Sequence, residues 1–255
     1  MQNKVSMSLC TTLGGVIAVL LTAAVMHAIW GLGLSGLGWA GALICFIALM
    51  IFQISGFVVG ISERGSNSGR TGLVVSIVFI IAAVVGFILF IWPHLDLYGL
   101  ILILIPVPTI LMGVFAGLIA IRLQRKPSLK IWKSLLILWL TPSVWCAVLM
   151  SIPIAGNIFK GDGDYKLVAR YGTSIPSTLF GPWATLVAKL GDWPNAGEFF
   201  SLPVAIVLTI ILIGLVAVAT RIHNRAIQGL TLITFAPFIL IWVLIGIGQM
   251  LACTS

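Results

Sequence analysis

The chain has 255 residues, of which 60% are hydrophobic and 8% charged, with a formal charge of +8 and a mean hydropathy of +1.21. A soluble domain carries about 25% charged residues, so this chain could not cover a water-exposed surface, and the composition excludes a soluble globular protein. The positive charge does not point to nucleic acid, because basic residues collect in the cytoplasmic loops of membrane proteins for topological reasons.

A membrane-spanning helix needs about 20 mostly apolar residues. Taken in chain order, such runs fall at 9–30, 39–61, 71–92, 97–121, 132–155, 202–222 and 230–252. They predict an all-α, polytopic membrane bundle of about seven spans, forming a single integral membrane domain over 1–255. Lys4 ahead of the first run resembles the start of a signal peptide, but the run is too long for a signal h-region, so a retained anchor is expected. The linkers are "GLGLSGLG" (31–38), "SERGSNSGR" (62–70), "PHLD" (93–96), the basic "RLQRKPSLK" (122–130), a long segment over 156–201, and "RIHNRAIQG" (221–229).

Loop charge sets the expected orientation. If loops alternate sides, Lys4, Arg64, Arg70, Arg122, Arg125, Lys126, Lys130, Lys133, Arg221 and Arg225 share one side. The other side receives Lys160, Lys166, Arg170 and Lys189, balanced by Asp162, Asp164, Asp192 and Glu198. The positive-inside rule then places the N-terminus in the cytoplasm and the C-terminus outside. Trp30, Trp39 and Trp92 fall at the outer interface of this arrangement and Trp132 at the inner one, as aromatic belts require.

The long segment is therefore external. Within it Leu179, Trp183, Leu186, Val187 and Leu190 follow a helical stripe, with Pro182 suited to a first turn and Gly191 to an end. This predicts a short amphipathic helix over 179–190, too short to span, packed across the ends of the spans or resting on the membrane surface. Trp183, Leu186, Leu190 and Trp193 are the expected interface residues.

Polar chemistry inside the spans is sparse. His27 and His223 lie near span ends, and the groups at depth are Gln53, Ser55, Ser76, Thr109, Thr141, Ser143, Thr209, Thr234 and Gln249. Hydroxyls and amides of this kind usually bond across helices, whereas proton-coupled transport calls for ionisable groups at depth. A retinal pump is excluded further by the lack of a lysine in the last span. Pro106, Pro108, Pro142 and Pro237 fall within the expected spans and are candidates for kinks or a pathway. Gly56/Gly60 and Gly113/Gly117 have the spacing that allows close helix approach, within the chain or with a partner.

For metal chemistry the outer side offers His27, His94 and Asp96, a weak set. "GDGDYK" lacks acidic ligands where a calcium loop needs them, since Lys166 and Thr173 stand there. The four cysteines, Cys10, Cys45, Cys146 and Cys253, form neither a disulfide framework nor a CxxC site. No HExxH, GxSxG or P-loop is present. No catalytic or cofactor-binding residue is indicated, and no cofactor is implied. Arg122, Arg125, Lys126, Lys130 and Lys133 form the strongest charge cluster, which suits anionic lipid headgroups.

The sequence thus points to a non-catalytic membrane subunit or scaffold. Its expected partners are membrane lipids and other membrane subunits or further copies of itself, and not nucleic acid. The alternative is a transporter or channel for a neutral or apolar solute through proline-kinked helices. An enzyme working at the outer face through the His/Asp groups is a lesser option.

Overall fold

The structure, a computed structural model, describes residues 6–31, 37–86, 88, 106–125, 130–160, 165–184, 186 and 202–253. Among the described residues eight helices are present: α1 (Met7–Gly31), α2 (Leu37–Ser62), α3 (Asn67–Gly86), α4 (Pro106–Arg125), α5 (Ile131–Lys160), α6 (Tyr165–Phe180), α7 (Leu202–Arg221) and α8 (Arg225–Cys253). A 3-10 turn, Gly181–Trp183, follows α6 directly. No strand occurs among the described residues, so the all-α bundle expected from the hydropathy pattern is the observed fold. In lipid only structures that satisfy the backbone within the segment can span.

Among the described residues six helices are long and apolar enough to cross a membrane, and an apolar stretch over Met7–Leu21 of α1 adds to them. The chain is therefore a multi-pass membrane protein by composition and length. Leu37–Ser62 and Leu202–Arg221 match their expected spans closely. α4 is described from Pro106 to Arg125, and residues 97–105 of its expected span lie outside the described set. Pro106 and Pro108 lie at this edge of the described residues. Pro142 and Pro237 do sit inside helices, α5 and α8.

Contacts divide the chain into two units: Met1–Ser134 with Val218–Pro237, and Leu135–Ala217 with Phe238–Ser255. The division falls within α8 directly after Pro237.

In the first unit α1 packs on α2 and α3, and α2 packs on α3 and α4. Glycines make these approaches possible. A Cβ on Gly72 would meet the Ser8 hydroxyl at 2.5 Å and the Leu9 amide at 2.8 Å, and one on Gly60 would meet the Ser8 hydroxyl at 2.9 Å. Gly113 and Gly117 face Ile54 and Val58 at 2.7 and 2.9 Å in the same sense. Both glycine pairs picked out by spacing therefore serve packing within the chain, which lets van der Waals contact and backbone-directed hydrogen bonds hold the helices together in lipid.

Hydroxyls complete this junction. Ser8 Oγ donates to the Gly56 carbonyl at 2.7 Å, Ser55 Oγ to the Gly113 carbonyl at 2.9 Å, and Gln53 Nε2 to the Thr12 carbonyl at 3.2 Å. Thr12 Oγ1 and Ser76 Oγ lie 2.9 Å apart. Ser8, Thr12, Gln53, Ser55 and Ser76 are all buried.

Candidate functional site

In the second unit the residues from Ser174 to Ala184 form a broken segment set into the helices around it. α6 carries the strongest one-sided pattern of the helices, and its end is a run of small and polar residues, "TSIPSTLF". Ser177 Oγ donates to the Ser174 carbonyl at 2.5 Å and Thr178 Oγ1 to the Ile175 carbonyl at 2.8 Å. Both hydroxyls are satisfied on their own helix, which is how serine and threonine enter an apolar region at low cost.

The helix stops because Gly181 turns left-handed, with φ of 54°. Pro182 follows within the 3-10 turn, and Ala184 and Leu186 are helical again. A helix end leaves carbonyls without partners on the chain's own ladder. Two of them are taken by neighbouring helices: Ser143 Oγ of α5 donates to the Thr178 carbonyl at 3.0 Å, and Trp242 Nε1 of α8 donates to the Leu179 carbonyl at 3.2 Å. Beyond the break, Trp183 Nε1 donates to Thr209 Oγ1 of α7 at 2.9 Å. Trp139 of α5 meets Trp242 edge-on, with ring centroids 6.1 Å apart.

The turn also fits by shape. Gly246 lies so close that a Cβ on it would sit 2.6 Å from both the Gly181 Cα and the Ser177 carbonyl oxygen. A Cβ on Gly181 would run into the Trp242 indole. Ser174, Ser177, Thr178, Gly181, Pro182 and Ala184 are all buried.

Positions along the neighbouring helices follow from helix geometry. At about 1.5 Å per residue, Thr209 is about 10 Å along the axis from the start of α7, and Ser143 is about 25 Å from the end of α5. The broken segment therefore meets the sides of its neighbours within α5 and α7. In an apolar bundle irregular backbone is tolerated only when protein covers it, and the donors Ser143 and Trp242 and the acceptor Thr209 provide that cover.

The expected interface residues separate as follows. Trp183 and Leu186 are half-buried, with Trp183 docked on α7 as described, while Leu179 of the same stripe is exposed. Leu190 and Trp193 lie outside the described residues. The helical segment of the loop is also longer than the stripe implied, since α6 begins at Tyr165. Of the hydroxyls and amides placed at depth, Gln53, Ser55, Ser76, Ser143 and Thr209 do meet other helices. Thr141 and Thr234 bond back to their own helices, at the Ile137 and Leu230 carbonyls.

A second polar feature lies at one end of the first unit, in a cavity of about 800 Å³ lined in part by Ser6, Ser62, Glu63, Ser66 and Gln124. Glu63 follows α2 and reaches the start of α1. Its carboxylate accepts the Ser6 hydroxyl, the Met7 amide at 3.3 Å and the Ser8 amide at 3.2 Å. The first amides of a helix have no partner of their own and carry its positive dipole end, so Glu63 caps α1 from a distant part of the chain. In the sequence Glu63 is one residue of the linker 62–70, with no sign of this role beyond its position as an isolated acid in a basic linker. Glu63→Ala is expected to lower stability by about 1–2 kcal/mol, as loss of a cap does, and Glu63→Gln by less, because its amide oxygen still accepts. Equilibrium unfolding in detergent checks the order; equal stability of all three proteins would show that the contact contributes nothing.

The basic cluster is split across an undescribed stretch. Arg122 and Arg125 end α4, Lys130 and Lys133 flank the start of α5, and Lys126 is outside the described residues. His94 and Asp96 are also outside them, and His27 lies on α1 with its side chain not described. Among the described residues no group of three or more His, Cys, Asp or Glu gathers as a metal site.

Fold and composition define the chain as a multi-pass helical membrane protein. No protein-family model, curated protein or solved structure matches it.

Proposed function

We propose that this protein is a non-catalytic integral membrane subunit or scaffold that packs with partner membrane proteins and presents the 156–201 loop on the outer side. The observation that carries this reading is the use made of polar groups at depth. Ser143, Trp183 and Trp242 hold the broken segment, and Ser8, Gln53 and Ser55 tie helices to one another. Their chemistry goes into shape. Wide apolar faces on α3 (Val74, Ile77, Val78, Ile81) and α7 (Val207, Ile210, Ile213) remain exposed, and they suit contact with further spans. The loop charges favour a cytoplasmic N-terminus and an external C-terminus, with the complex using both faces.

A second reading, passage of a neutral or apolar solute, is favoured by the break at Gly181–Trp183, because broken helices frame many transport sites. Purification in a mild detergent separates the two. The subunit reading expects the chain to leave the membrane with fixed partners or as a defined oligomer. A monomer that carries a neutral solute into liposomes would replace it with the second reading. A thiol reagent that cannot cross the membrane should reach a cysteine placed at Ser255 from outside and miss one at Ser66; the reverse pattern would invert the orientation.

A further inference from the structure

Between the ends of α2 and α4 lies a groove of about 580 Å³ that is basic at one end and apolar along its walls. Close packing at Gly113 and Gly117 holds the two helices together further along, against Ile54 and Val58. The groove's polar end carries Arg64, from the turn after α2, and Arg125, in the last turn of α4. Arg125 Nη2 donates to Ser62 Oγ, another residue of the groove lining, at 2.6 Å, and among the described residues this bond uses one of its five N–H groups. The backbone carbonyl of Arg64 accepts from Arg70 Nε at 2.9 Å, which fixes the turn. Both arginines are exposed, and among the described residues no carboxylate lines the groove. Glu63, next in sequence, is committed to the start of α1.

The walls run from this basic end toward the apolar part of the bundle. Ile61 and Leu118 are 46% and 40% exposed, so each presents a large apolar surface outward beside the charges. A free inorganic anion would use the arginines and leave these walls bare. A molecule with an anionic phosphate attached to hydrocarbon uses both. Arginine forks match phosphate oxygens in bidentate geometry, and basic recesses between spans suit anionic lipid headgroups.

We propose that this groove is a binding site for one anionic glycerophospholipid, its phosphate held by Arg64 and Arg125 and an acyl chain lying along Ile61 and Leu118. The site is narrower than the basic cluster read from the sequence: it uses Arg64, from a different linker, and omits Arg122, which does not line the groove. It does not depend on whether the chain is a scaffold or a transporter.

The test measures lipid retention by native mass spectrometry and thermal stability of the purified full chain, titrated with dioleoyl phosphatidylglycerol, dioleoyl phosphatidylcholine or inorganic phosphate. Phosphatidylglycerol should bind and raise the melting temperature, with phosphatidylcholine at least about tenfold weaker and phosphate alone without effect. Each basic residue near a membrane surface contributes about 1 kcal/mol, so Arg64→Gln and Arg125→Gln should each weaken phosphatidylglycerol about fivefold. Arg122→Gln removes the same charge outside the groove and should change binding by less than about twofold. Among the described residues Arg64 makes no side-chain bond to another helix, so the Arg64 variant remains informative if the Arg125 variant folds poorly. Equal weakening by Arg122→Gln would show diffuse attraction to the basic face and overturn the site. Equal binding of phosphatidylcholine, or full stabilisation by inorganic phosphate, would also overturn it.

Discussion

Gly181→Ala is expected to undock the broken segment and to be among the most destabilising single substitutions in the second unit. Two costs combine. A φ of 54° suits glycine, and a side chain there costs about 1–2 kcal/mol. The added Cβ also meets the Trp242 indole, and overpacking of this kind costs about 1–3 kcal/mol. Trp242 cannot simply withdraw, because its Nε1 is donated to the Leu179 carbonyl and its ring packs on Trp139. Movement of the indole would leave the Leu179 carbonyl, among packed helices, without its donor. An unsatisfied group there is costly.

Trypsin provides a direct readout, since Lys166, Arg170 and Lys189 lie on either side of the break. The variant should be cut in this stretch much faster than the wild type and should melt at a lower temperature. Gly246→Ala approaches the same point from α8, with its Cβ 2.6 Å from the Gly181 Cα, and should have the same effect. Once either substitution has lifted the segment, the other has little left to disturb. The double variant should therefore fall well short of the sum, as coupled neighbours do. Wild-type cleavage and melting in Gly181→Ala would refute the docking, and full additivity would refute the shared contact.

The stretch around residue 181 also shows where one-dimensional reading stops. Span positions were legible because about 20 apolar residues in a row have one main structural use; the expected 39–61 and 202–222 became Leu37–Ser62 and Leu202–Arg221. Pro182, expected in the first turn of a helix over 179–190, lies instead in the 3-10 turn Gly181–Trp183 that follows α6. The docking of the segment was not legible. It depends on donors at Ser143 and Trp242 and an acceptor at Thr209, which are separated from the break by tens of residues, and hydropathy carries no information about such pairings. The hydroxyls had been recognised as helix-to-helix bonding groups, but nothing in their spacing said which carbonyls they would meet. Glu63 was missed for the same reason: its role exists only once the start of α1 is beside the end of α2.

Gly72→Val should separate α1 from α3 and unravel the hydroxyl junction of the first unit. The nearest atoms to a new Cβ are the Ser8 hydroxyl at 2.5 Å and the Leu9 amide nitrogen at 2.8 Å. A hydroxyl can rotate, but the amide belongs to helical backbone, so relief requires α1 to move as a body. Such a shift would stretch the Ser8 bond to the Gly56 carbonyl and the approach of Thr12 to Ser76. It would also pull the start of α1 from the Glu63 carboxylate. The expected loss is about 3 kcal/mol or more, at the upper end of overpacking costs. Gly65→Val gives the contrast, because nothing lies within 4 Å of its Cβ position. Denaturation of the two variants in the same detergent should show Gly72→Val strongly destabilised and Gly65→Val close to wild type. A bulky residue tolerated at position 72 would mean that α1 is not seated on α3, and the glycine and hydroxyl contacts described there would lose their role in holding the helices together.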